Sequence, residues 1–343
     1  MNTLRPRSAA ELGELLRSGP GRVRLHGTSS RQDRWCAAPD AVEVQLAGLD
    51  TIHRLDPPDQ TCSVDAGVRR SVLDDALERV GLELPCLGTG SLGGLFATDP
   101  IGSSTVGGAS PRTLLLGMEA VLADGTPFKS GSRVVKSVAG FDVHKLLVGS
   151  QGRLFAATRL HLRLRPRPRA EEWFHCAGLD QARALAMFAR LRSLPNPPAA
   201  LFLRRDHSGF AVAGRIGGRP TFVASVLRMH ALPVAEPVTE LHLDAPSGGE
   251  VLMGNVVPSR LPPLLAAAPP TAPFLLHGGG RFELALASPA AADALLAALP
   301  NIAHACIVLG APARRGLGTL VDPGHRRLVD GLKHALDPHD VFV

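Results

Sequence analysis

Tyrosine is absent from the 343 residues, tryptophan occurs twice, and aromatic side chains amount to 4% of the chain. No stretch interleaves arginine with aromatic rings as a base-stacking platform does, so nucleic-acid binding is not expected. The five cysteines, Cys36, Cys62, Cys86, Cys176 and Cys306, form no CxxC pair. That spacing argues against an iron-sulfur cluster or a thiolate-held zinc within this chain, and no metal site is expected. They read instead as small thiols in a reducing compartment. No apolar run approaches the roughly 20 residues that a membrane-spanning helix needs. The opening MNTLRPRSAAELGELLRSG has no apolar signal core, which predicts a cytoplasmic protein that reaches the inner face of a membrane only through a partner complex.

With 45% hydrophobic residues and so few rings, packing falls to Ala, Leu and Val. The 36 glycines and 29 prolines predict many turns between short elements rather than a helical bundle. Thirty-seven basic against 31 acidic residues leave a charge of +6, which favours anionic partners such as a phosphorylated cofactor or an acidic subunit. The length suffices for two domains.

Along the chain, Ser8 is placed to cap a first helix, with Glu11 at the capping-box position and Leu12, Leu15 and Leu16 on one face. A short strand, Val23–Leu25, then runs into the small polar loop His26-Gly27-Thr28-Ser29-Ser30, whose amides and hydroxyls suit a diphosphate, although such turns are common. Val42–Leu46, Ile52–Leu55 and Cys62–Asp65 read as strands and Val68–Val80 as a helix. Gly88–Gly93 satisfies GxGxxG. However, Pro100, Gly102, Gly107 and Gly108 oppose a long helix and no acid lies near Ser110–Thr113, so a Rossmann fingerprint is rejected in favour of an extended glycine-rich wrap.

Leu154–Leu164 alternates regularly: Leu160, Leu162 and Leu164 face a core, while Arg159, His161, Arg163 and Arg165 face solvent, a partner or a polyanion. Arg165-Pro166-Arg167-Pro168-Arg169 reads as a boundary. Beyond it, strands at Trp173–Ala177, Ala200–Arg204, Phe210–Ile216, Phe274–Leu276, Phe282–Ala287 and Ile302–Leu309 mix with helices at Ala182–Leu191, Phe222–Leu227, Ala290–Leu299 and Arg326–Leu336. This is an α+β pattern. The proline-rich stretch 236–273 carries no clear pattern. His304 reads as a core histidine and His277 as a hydrogen-bonded one, with a place facing a cofactor left open; Asp142 reads as a helix cap.

Several stretches together resemble a known family: LHGTSS at 25–30, LPC at 84–86, GSLGGLFAT at 90–98, LGMEAVLADG at 116–125, VKSVAGFDVHKLLVGSQGRL at 135–154 and LKHALDPHDVF at 332–342. They are similar to the FAD-linked oxidases with a PCMH or vanillyl-alcohol-oxidase type of FAD-binding domain, and among these to the glycolate oxidase E subunits. The resemblance implies a PCMH-type FAD-binding domain of two α+β subdomains over 1–169, a smaller α+β cap over 170–310, and a segment 311–343 returning to the first domain. It implies FAD held non-covalently by His26, Gly27, Thr28, Ser29 and Ser30, by Gly90, Ser91, Leu92, Gly93, Gly94 and Thr98, and by Lys136, Gly140, Gly149 and Gly152. Lys136 and Lys145 stand either as counter-charges to the cofactor or as solvated lysines. The implied function is that of an FAD-binding subunit in a 2-hydroxy-acid dehydrogenase complex, beside a larger FAD-linked catalytic subunit and an iron-sulfur subunit. A free-standing FAD-dependent oxidase or dehydrogenase and a degenerate, non-catalytic scaffold are the alternatives. No catalytic residue is assigned, because the histidine and acid constellation of hydroxy-acid-oxidising relatives cannot be placed.

Overall fold

A computed structural model describes residues 3–29, 40–98, 106, 109–133, 141–238, 242–311, 314 and 323–343. The chain opens with α1 (Ala9–Arg17). Ser8 accepts from the Glu11 amide at 3.1 Å and Glu11 accepts from the Arg7 amide at 2.7 Å, so local capping starts the helix and buried Leu12 and Leu16 dock it. β1 (Val23–His26) pairs in parallel with β2 (Val42–Gln45). Leu4 bridges to Val44 and Phe342 to Val23, so both ends of the described chain meet at this small sheet.

Next come β3 (Ile52–Asp56), β4 (Thr61–Asp65), α2 (Arg70–Glu78), β5 (Leu82–Glu83), α3 (Leu92–Thr98), α4 (Pro111–Leu114), β6 (Leu115–Val121), β7 (Pro127–Gly131) and β8 (Ala156–Arg163). The longer strands form an antiparallel sheet in the order β3-β4-β8-β6-β7. β8 occupies its middle, with Leu160 opposite Val64 and Leu162 opposite Cys62. Leu160 and Leu162 are fully buried and Leu164 nearly so; each contributes about 1.5–3 kcal/mol relative to exposure.

The opposite side of β8 departs from the expected open basic face. Arg159 reaches Asp65 at 3.3 Å and Glu119 at 3.4 Å. Arg165 pairs with Glu83 and Arg167 with Glu78, both at 2.5 Å. His161 is buried and its Nδ1 meets the Ser63 hydroxyl at 2.8 Å; burial pushes this imidazole down to about 4. Acids brought in from β4, β5, β6 and α2 neutralise most of the stripe, leaving Arg163 exposed.

After β9 (Arg165–Pro166) follow β10 (Ala170–Leu179), α5 (Gln181–Arg192), β11 (Ala200–Asp206), β12 (Gly209–Gly218), α6 (Pro220–Met229), β13 (Val234–Ala235), β14 (Glu250–Asn255), α7 (Leu261–Ala267), β15 (Phe274–His277), β16 (Arg281–Leu286), α8 (Pro289–Ala298) and β17 (His304–Leu309). An eight-stranded sheet runs β13-β10-β12-β11-β15-β16-β14-β17. α5 to α8 cover one face, where Phe188, Val223, Leu264 and Leu295 share a core with Phe174, Leu201 and Phe274. On the other face Phe202, Leu275 and Val251 pack with Trp173 and with Leu87 from the first half of the chain. β14 and α7 lie in the stretch whose pattern was unreadable. His304 is exposed at the start of its strand rather than in the core. α9 (Pro323–Leu336) closes the chain.

Candidate functional site

The segment following β1 meets the start of α3. Gly27 approaches Ser91 so closely that a Cβ on it would stand 1.8 Å from the Ser91 hydroxyl and 2.6 Å from its Cβ. Gly93 is as tightly fitted, because a Cβ there would lie 2.9 Å from both the Cβ and the carbonyl oxygen of Ala66. Only hydrogen at Gly27 lets the segment after β1 close on the start of α3, and only hydrogen at Gly93 lets α3 close on the turn after β4. The Gln45 side chain donates to the Gly27 carbonyl at 3.3 Å, and Thr98 Oγ1 to the Gly94 carbonyl at 2.7 Å, fixing both.

Between them opens a cleft of about 940 Å³, including its solvent-filled mouth. His26, Gly27, Thr28 and Ser29 form one wall, and Ser91, Gly93, Gly94 and Thr98 form another. Gly152 contributes to the lining with Gln151, and both are held in the left-handed region, at φ of +75° and +56°. Leu46, Leu147 and Phe155 supply apolar floor. Three sequence-derived residues stand behind these walls. Leu92 is fully buried in the core, the Gly90 carbonyl accepts from the Arg70 amide at 2.8 Å, and the Gly149 amide donates to Phe96 at 3.3 Å. Ser30, Lys136 and Gly140 lie outside the described residues.

Among the described residues, charge at the cleft is nearly balanced. Arg24 Nε donates to Glu43 at 2.7 Å, and His26 lies 3.3 Å from the same carboxylate while its Nδ1 meets the Ser29 hydroxyl at 2.8 Å. Burial lowers the His26 pKa below the ordinary imidazole value; Glu43 opposes this and Arg24 reinforces it. Among the described residues, the groups placed to meet a diphosphate here are backbone amides and the hydroxyls of Thr28, Ser29 and Ser91. Lys145 serves neither of its expected roles: its ammonium donates to the Arg112 carbonyl at 2.7 Å and also to that of Leu115. Asp142 caps nothing through its side chain; a single 3-10 turn follows it. Sequence reasoning missed Arg24, Leu46, Ala66, Gln151 and Phe155. Only Gln151, inside the glycine-punctuated GSQG run, carried a local signal.

A second polar cluster lies on the helix-free face of the large sheet. His277 is 0% exposed, neither ring nitrogen has a hydrogen-bond partner among the described residues, and its ring packs edge-on against Phe202. The expected hydrogen-bonded histidine is therefore corrected: burial drives its pKa down to about 3 and keeps it neutral. Nearby, fully buried Glu283 accepts from His242 at 2.5 Å and from the Leu243 amide at 2.7 Å.

Two α+β lobes closing glycine-rich segments around this cleft define an FAD-binding domain of the PCMH type. Residues 3–131 match the family model of the FAD binding domain; the chain carries that domain, and FAD is its cofactor. Among curated relatives, a D-lactate dehydrogenase of Archaeoglobus fulgidus is 36% identical over 118 residues, 34% of this chain and 27% of that protein. Glycolate oxidase subunit GlcE of Escherichia coli is 32% identical over 124 residues, 35% of each chain. The mitochondrial D-lactate dehydrogenase [cytochrome] of Arabidopsis thaliana is 31% identical over 169 residues, 48% of this chain and 30% of that one. Each match spans about a third of the relative's length. The fold extends further: an alkyldihydroxyacetonephosphate synthase structure superposes with a TM-score of 0.71 over 99% of this chain and 76% of its own, at 14% identity. Among the described residues no helix is long and apolar enough to cross a membrane.

Proposed function

We propose that this protein is a flavin-dependent oxidoreductase acting on a small 2-hydroxy acid. The observation that carries the reading is the glycine-fitted cleft inside the matched FAD domain, together with relatives named as D-lactate dehydrogenases and glycolate oxidase subunits. Residues 1–169 are taken as the FAD-binding domain, 170–310 as the cap and 311–343 as the returning segment. Bound FAD would supply two-electron chemistry. The chain's own part is to hold it non-covalently: His26 to Ser29 and Ser91 to Gly94 supply short donors, while Leu46, Leu147 and Phe155 shield the apolar portion from water.

A narrower reading is that of one FAD-binding subunit beside a larger FAD-linked catalytic subunit and an iron-sulfur subunit; what supports it is the 32% identity over 124 residues to a relative named as glycolate oxidase subunit GlcE. The two readings part in one experiment. Purified, desalted protein is expected to keep a visible flavin spectrum. If it stands alone, it should reduce an artificial acceptor with D-lactate or glycolate; if it is a subunit, that activity should need the co-expressed partners. A colourless protein that takes up no FAD on titration overturns both.

A further inference from the structure

His26, the last residue of β1, lies between a carboxylate and a hydroxyl. Its Nδ1 meets the Ser29 hydroxyl at 2.8 Å. Its Nε2 is buried, makes no hydrogen bond among the described residues, and faces a Glu43 carboxylate oxygen at 3.3 Å. Ser29 is held in the left-handed region at φ +57°, a conformation that a residue other than glycine keeps only where its surroundings impose it. The bond to the ring ties that strained residue back to the strand.

A serine hydroxyl has a single proton to donate. In the neutral ring a lone pair on Nε2 would point at the Glu43 carboxylate, so the ring proton sits on Nε2 and Nδ1 accepts from Ser29. Ser29 then turns only lone pairs toward the cleft, which an anion repels. Protonation reverses the arrangement: Nδ1 donates to Ser29 Oγ, the Ser29 proton is released toward the cleft, and the Nε2 proton stays beside Glu43. Burial does most to keep the ring neutral, Arg24 on β1 and Arg5 ahead of α1 add to it, and Glu43 on β2 and the Gly27 backbone oppose it. The cleft walls formed by α3 and by Gln151 with Gly152 bring no charge.

We infer that His26 takes up a proton from solvent when the cofactor's diphosphate enters the cleft, and that this turns the Ser29 hydroxyl from the ring to a phosphate oxygen. The ionised diphosphate favours the imidazolium, and by reciprocity the imidazolium favours the diphosphate. His26 is thereby a positioning residue that acts on the phosphate through Ser29. The inference deepens the reading of this cleft as the FAD site and rests on it. Because the ring binds its proton more tightly in the complex than in the apoprotein, FAD should bind more tightly as pH falls through the interval between the two pKa values, and this ring should contribute no further change on either side.

The test is calorimetric titration of FAD into apoprotein in two buffers of different ionisation enthalpy, across roughly pH 5 to 8, where imidazoles titrate. The expected result is net proton uptake inside the interval, with affinity gaining up to about tenfold per unit fall in pH at its steepest. His26→Asn keeps an amide N–H near the place of Nδ1 and cannot titrate, so its uptake should vanish and its FAD affinity should be level across the range. Independently of any variant, nitrogen-15 shifts of the wild-type ring, assigned through bonds from the residue 26 backbone, should show Nδ1 bare in the apoprotein and both nitrogens protonated in the complex. FAD bound without proton uptake at any pH, uptake undiminished in His26→Asn, or Nδ1 still bare in the complex would each overturn the inference and leave the oxidoreductase reading standing. Protein that takes up no FAD would remove both.

Discussion

Gly27→Ala is the sharpest probe of the cleft, because the methyl group it adds has nowhere to go. Its carbon would lie 1.8 Å from Ser91 Oγ and 2.6 Å from Ser91 Cβ, where carbon atoms in contact rest at about 3.5–4.0 Å. Rotating the serine hydroxyl relieves the first clash and leaves the second, so the segment after β1 and the start of α3 must separate by about 1 Å. Overpacking of this kind costs about 1–3 kcal/mol. If apoprotein relaxes by opening the cleft, the whole penalty falls on the bound state and FAD affinity should drop by about 5- to 150-fold. The assay is flavin fluorescence on titrating apoprotein, with thermal unfolding as a check on the fold. Ser91→Gly added to Gly27→Ala should restore most of the loss, the coupling expected of residues in direct contact. At Gly94 a Cβ meets only Ser91 Oγ, at 3.0 Å. Gly94→Ala should therefore weaken FAD while leaving α3 no less stable, since alanine favours helix over glycine. Wild-type affinity in Gly27→Ala, with an unchanged melting temperature, would refute the placement of FAD between these segments.

Leu162→Asp buries a carboxylate at a fully enclosed position of β8 and should abolish cooperative unfolding of the first half of the chain, read by circular dichroism. Arg165→Glu sets two carboxylates against each other at Glu83 and should lower stability by about 1 kcal/mol, whereas Arg163→Glu, with its side chain exposed, should leave the urea midpoint unchanged. His277 and His161 have folded pKa values pushed down to about 3 and about 4 from 6.5. The unfolded chain thus binds more protons between those values, so stability should be fully present above about pH 6.5 and fall as pH drops toward 4. His277→Phe should flatten that slope and leave stability at neutral pH undiminished, because it removes two unpaired buried nitrogens and no hydrogen bond; a variant as acid-sensitive as wild type would contradict this.

How much of the fold could be read from the chain depended on whether its cause was local. Capping by Ser8 and the alternation of Leu160, Leu162 and Leu164 are properties of a few neighbouring residues, and both stand in the structure as read. The fate of the intervening arginines is not local. Asp65 and Glu119, which hold Arg159, lie 94 and 40 positions away in the chain, so a stripe that looks basic in one dimension is neutralised in three. β14 and α7 were hidden for another reason: Gly254 breaks the strand signal and two prolines occupy the first turn of the helix, where they are tolerated because those amides need no partner. In each, the deciding partner is a neighbouring strand or a packed core.

The site divides the same way. Small polar residues after β1 and the glycines near 90 signal close backbone approach, yet their composition suggested an extended wrap, whereas Leu92–Thr98 is helical. Gly93 and Gly94 are poor helix formers, and only tertiary contact explains the turn: Leu92, Leu95 and Phe96 are sealed in the core, and the Gly93 amide donates to the Ala66 carbonyl at 2.7 Å. Gly93, which disfavours the helix in isolation, lets it press against Ala66, while Gly27 makes room for Ser91 at the helix start, so the feature that hid the helix helps the cleft to close.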